Sequence, residues 1–151
     1  SSMRKIYTSR FGEIEVDENK IVHFQSGIPA FENEHEFIVL PYDEESPYYF
    51  MQSINSPDLA FLLTIPFLFF PDYTFEIDDE TIKELDVKNY DKLLYYSMIT
   101  IPNGSIRYMT ANLLAPVVIN IENMQAKQVV LEKSNYTTKH RLFPEPAKKG
   151  E

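Results

Sequence analysis

The chain holds 151 residues, with 23 Asp plus Glu against 14 Lys plus Arg and no cysteine. That length suits one domain able to bury a core without covalent staples, and the missing cysteines exclude disulfides and thiolate metal sites. A formal charge of −9 argues against direct nucleic-acid binding, and four glycines are too few for a glycine-built phosphate loop.

Ser1 and Ser2 ahead of Met3 read as residues left by tag removal, and residues 3–136 read as the domain. "RKIYTSRFGEIEV" lacks the apolar stretch of a signal peptide, and no run reaches the ~20 apolar residues of a membrane-spanning helix. A cytoplasmic protein without membrane association or cofactor is therefore expected.

Period-2 alternation then dominates. "GEIEVDENKIVHFQ" predicts a hairpin, with Ile14 and Val16 on one face, Glu13 and Glu15 on the other, and Asp17-Glu18-Asn19 as its turn. Further strands are predicted at "EFIVL", "PYYFMQSI", "LAFLLTI", "YTFEI", "LLYYSMITI", "MTANLLAPVVINI" and "AKQVVLEK". Turn residues separate them at Pro41 to Asp43, Asn55 to Asp58, Pro102 to Gly104 and Glu122-Asn123. One short helix is predicted at "DDETIKEL", capped by Asp78 or Asp79, with Ile82 and Leu85 on one face. Residues 137–151 lose periodicity and read as a flexible tail, which carries the basic cluster Lys139, His140, Arg141, Lys148 and Lys149. The fold class expected is all-β, a small and mainly antiparallel barrel.

Residues with catalytic chemistry do not assemble in the sequence. His23, His35 and His140 share no metal-ligand spacing, and no nucleophile elbow is present. The carboxylates at Asp43-Glu44-Glu45 and Asp78-Asp79-Glu80 fit solvated loops or helix starts. Asn103 and Asn135 open glycosylation sequons that mean little without secretion. An enzyme using Glu32 with His35 is the weakest of three functional readings. A barrel whose Tyr and Phe line a small-ligand pocket is the runner-up.

Three segments stand out as candidate binding surface. In "FQSGIPAFE", Gly27 and Pro29 shape a bend among Phe24, Ile28 and Phe31, with Glu32 beside it. In "IPFLFFPDY", Pro66 and Pro71 lack ladder donors, so Phe67 to Phe70, with Phe67 and Phe69 as candidate anchors, cannot form a normal central strand. In "TANLLAPVVIN", Pro116 breaks the strand into two pieces, leaving Thr110, Asn112 and Asn120 to satisfy the freed backbone.

"SGIPAFE", "AFLLTIPFLFFPDY" and "TANLLAPVVIN" stand in order between strands of the right kind, and the chain resembles the FliW family of bacterial flagellar assembly factors from Tyr7 to about Tyr136. Two departures accompany the match. Ala30 stands where the family usually has glycine, limiting a left-handed backbone there, and Ile65 replaces a common polar residue before Pro66. The resemblance implies a cytoplasmic protein, monomeric when free. It would bind flagellin and the post-transcriptional regulator CsrA, which represses flagellin translation. Partner-binding residues expected on this basis are Phe24, Gly27, Pro29, Phe31, Glu32, Phe67, Phe69, Asn112, Pro116 and Asn120.

Overall fold

Seven strands close a barrel in the computed structural model, which describes residues 2–145. They are β3 (Val22–Phe24), β4 (Glu36–Pro41), β5 (Tyr48–Ser53), β6 (Ala60–Thr64), β7 (Leu93–Thr100), β9 (Val117–Asn120) and β10 (Gln125–Gln128). Hydrogen bonding runs β7-β6-β5-β4-β3-β10-β9, and β9 returns to β7. Every pair is antiparallel except β10 with β3. The barrel is thus mixed, as a long connection from β3 round to β10 permits.

Alternation along each strand divides the apolar side chains between two cores. Phe24, Phe37, Met51, Leu63, Tyr96, Val117 and Ile119 fill the barrel interior. Among the described residues, these buried side chains occupy the interior in which the runner-up reading places its pocket. On the outer face, Leu93, Val118, Val129 and Leu131 are covered by the excursion through Tyr73, Phe75 and Leu85. A third cluster of Ile6, Val16, Ile21, Ile38 and Ile54 lies under the N-terminal hairpin.

That hairpin corrects an expectation. β2 (Gly12–Asp17) pairs with β1 (Met3–Thr8), not with the "KIVHFQ" segment. Asp17 accepts from the Asn19 N–H at 2.9 Å and starts a 3₁₀ turn over Glu18–Lys20, which sends β3 away to β4 and β10. Gly12 at φ 70 closes the β1–β2 turn instead.

The predicted helix is present as α1 (Asp79–Glu84), capped by Asp78, whose Oδ1 accepts from the Thr81 N–H at 2.7 Å. This hydrogen bond to the charged form holds the Asp78 carboxyl below its ordinary range. "YTFEI" keeps a strand's alternation of buried and exposed side chains, but among the described residues it pairs with no strand. Residues past 136 are more ordered than expected up to Glu145. β11 (His140–Arg141) pairs with β8 (Thr110–Ala111), and Leu142 is buried in the outer core. Ser1 and residues 146–151, including Lys148 and Lys149, lie outside the described residues. Among the described residues, no helix is long and apolar enough to cross a membrane.

Candidate interaction surface

Pro116 stands in a detour. β7 advances three residues from Tyr96 to Ile99 while the chain facing it advances six, from Val117 back to Ala111. The surplus bulges out, so β8 and β9 share β7 on one side yet meet β11 and β10 on the other. The backbone groups of the detour are satisfied locally. Asn112 Oδ1 accepts from the Ala115 N–H at 2.9 Å, and the Leu113 and Leu114 N–H groups both donate to Thr137 O at 3.1 Å. The buried Tyr73 hydroxyl donates to Leu113 O at 2.7 Å, and Gln128 Nε2 donates to Ala115 O at 3.1 Å.

Of the three side chains expected to serve this break, only Asn112 does so. Asn120 is buried and works elsewhere: its Nδ2 donates to Leu85 O at 2.9 Å, holding the C-terminal end of α1 to the barrel. Thr110 Oγ1 is buried without a partner among the described residues.

The "FQSGIPAFE" loop closes one end of the barrel. Ile28 and Phe31 exchange backbone hydrogen bonds at 3.3 and 2.7 Å around Pro29-Ala30. This is the pattern of a type II turn, which requires positive φ at its third residue. Ala30 supplies it at φ 72, so the expected limit on a left-handed backbone is overcome by the turn. Phe24 and Ile28 are buried in the interior, while Phe31 is 41% exposed and packs edge-on against Phe61. Pro29 and Glu32 are exposed. His35 and Glu32 do not form a pair: His35 Nδ1 lies 2.7 Å from Phe24 O, and the Glu32 carboxylate faces the Ala30 N–H.

The "IPFLFFPDY" segment becomes a 3₁₀ turn over Pro66–Leu68 with Pro66 at its first position, where no N–H is needed. The turn divides its side chains. Phe67 is 38% and Leu68 61% exposed, whereas Phe69 and Phe70 are half-buried on the outer core. Phe69 meets Phe143 edge-on and stacks with Tyr48. Beside Phe143, the Arg141 guanidinium lies over the Tyr108 ring, 5.0 Å from its centre. Ile106, two residues from Tyr108, is 64% exposed. An apolar band runs from Phe67 and Leu68 through the Phe69–Phe143 contact, and Arg141, over the Tyr108 ring and donating to Arg107 O, joins it to the Ile106–Tyr108 turn.

Phe31 does not join that band, since its contact is Phe61 of the interior cluster, whereas Phe67 touches Tyr73, Phe75 and Tyr95 on the outer face. Phe24, Pro116 and Asn120 are buried, so their side chains present no contact surface. Leu68, Ile106, Tyr108 and Phe143 are additions that the sequence did not single out. They lie in 3₁₀ turns or past the expected domain end, where periodicity carries no signal of exposure.

Comparison with known proteins agrees with this architecture. The family model described as "FliW protein" matches residues 5–142. The flagellar assembly factor FliW of Heliobacterium modesticaldum is 45% identical over 143 residues, covering 95% of this chain and 93% of the relative. Its counterpart from Bacillus subtilis is 43% identical over 137 residues, with 91% and 95% covered. A crystal structure of the flagellar assembly factor FliW superposes with a TM-score of 0.89 at 42% identity, covering 95% of this chain and all of that one. Matched over nearly its full length in sequence and fold, the chain belongs to the FliW family of flagellar assembly factors, which are not enzymes.

Proposed function

We propose that this chain is a cytoplasmic partner-switching protein that binds flagellin and the translational repressor CsrA. Flagellin that accumulates occupies it and frees CsrA to repress further synthesis; exported flagellin returns it to CsrA and relieves repression. The chain works by protein contacts alone, with no cofactor and no direct hold on membrane or nucleic acid, and it is monomeric when free.

The observation that carries this reading is the apolar band around Leu68, with Leu68 and Ile106 each more than half exposed beside Phe67, Phe143 and Tyr108. Contiguous exposed apolar side chains of this kind mark protein-binding surfaces. A helix with an apolar face docks through such a surface by anchors three and four residues apart. The net charge of −9 adds attraction for a regulator that must present positive potential to RNA phosphates.

The test uses Leu68→Asp and Ile106→Asp, exposed positions where folding is spared. Each should weaken flagellin or CsrA binding at least tenfold in calorimetric titration with purified partners. Wild-type affinity for both partners in both variants would place the binding surface elsewhere.

A further inference from the structure

The barrel wall has an unfinished edge. β10 bonds β9 through its odd-numbered residues, and this ladder continues beyond the strand, with the Val129 N–H on Pro116 O at 2.9 Å and the Leu131 N–H on Leu114 O at 2.8 Å. Even-numbered residues therefore turn their backbone groups the other way, towards β3. β3 meets them only through His23 and Phe24. It then leaves, because the Gly27 N–H turns back onto Phe24 O at 3.0 Å. Among the described residues, no backbone group pairs with the Gln128 N–H, the Gln128 carbonyl or the Val130 N–H.

An open groove of about 860 Å³ borders this edge, between residues 127–134 and residues 74–81. The Gln128 side chain is drawn away to Ala115 O, and Val130 is 50% exposed. Thr74 to Asp78 forms the opposite wall, without a strand partner among the described residues. The walls carry Glu76, Asp78, Asp79, Glu80 and Glu132 against Lys127 and Lys133, and Lys127 is already held by Glu84 at 2.9 Å.

We infer that this groove takes an extended, lysine- or arginine-bearing segment of a partner protein as an added strand on the edge of β10. Unpaired N–H and C=O groups in a row supply main-chain hydrogen bonds to an incoming strand. Carboxylates on the walls select cationic side chains for it. A second copy of this chain would bring the same excess of carboxylates to the groove and be repelled. The groove shares no residue with the band around Leu68, so its failure would leave the flagellin and CsrA reading standing.

The test is hydrogen exchange by NMR on the full chain, titrated with acetyl-Lys-Val-Lys-Val-Lys-Val-amide and with the same peptide carrying Glu for Lys. The Gln128 and Val130 amides should exchange freely in the absence of peptide and slow at least tenfold with the lysine peptide alone. Val130→Pro removes one edge donor outside the β9 ladder, and Glu76→Lys with Glu132→Lys removes wall charge without touching the backbone. Each should weaken lysine-peptide binding at least tenfold. Absence of slowing, equal slowing by the glutamate peptide, or unchanged affinity in the charge variant would overturn the proposal. So would amides already protected without peptide: protection at any dilution would mean the chain covers its own edge, and protection that grows with concentration would mean a second copy does.

Discussion

Gly27 has no room for a side chain: a Cβ built there would lie 2.4 Å from Glu32 O, and its φ is +70. Gly12 shares that φ but faces open space. Gly27→Ala is therefore expected to cost more than about 2 kcal/mol, combining strained φ with a backbone clash, and Gly12→Ala about 1 kcal/mol from φ alone. Urea midpoints of the two variants check the order, and equal losses would mean that the close approach to Glu32 is relieved by a small shift. Tyr73 makes a second residue-scale case. Burial first, and the neighbouring Tyr136 second, raise its hydroxyl above the ordinary value of 10.0. A raised folded value gives stability that is complete below about pH 10 and is lost as the pH rises through the folded value. Tyr73→Phe should lower stability near neutrality by about 1 kcal/mol, through the lost bond to Leu113 O, and make the alkaline loss shallower. Melting temperatures of both proteins from pH 8 to pH 12 show whether the two curves converge.

At the scale of the element, the detour between β8 and β9 rests more on Asn112 than on the proline that announces it. Asn112 Oδ1 caps the Ala115 N–H, while Pro116 contributes its carbonyl to Val129, an acceptor any residue supplies. Asn112→Ala should therefore cost about 1–2 kcal/mol, as a lost cap does, and Pro116→Val less than about 1 kcal/mol. Denaturation midpoints in the reverse order would return the corner to the proline. Much of this level was legible in the sequence: β4 to β7 follow from alternation between turn residues, α1 from its Asp cap, and the break from Pro116. What was not legible is which strands become neighbours. "GEIEV" alternates equally well beside β1 or β3, and only the 3₁₀ turn after Asp17 decides. "YTFEI" alternates because Phe75 and Ile77 pack on the outer core, a pattern that burial on one face produces with or without a ladder. β8 and β11 are two residues each, too short for any period to show.

Across the whole molecule, two packed cores on either side of one barrel wall leave apolar side chains to spare at the rim. The candidate anchors Phe67 and Phe69 fall there together, whereas Phe31 caps the barrel end. Sequence marked the phenylalanines but could not say which face of the wall each would take, since that follows from the 3₁₀ turn at Pro66 and from the docking of residues 140–143. The proposed switch requires flagellin and CsrA to compete for this surface. The direct measurement is displacement: a preformed complex of this protein with labelled CsrA, titrated with purified unassembled flagellin and followed by fluorescence anisotropy. Stepwise release of CsrA to the free value as flagellin saturates the protein is the predicted result. Flagellin binding that leaves CsrA bound at saturation, or no binding of either partner, would contradict the account.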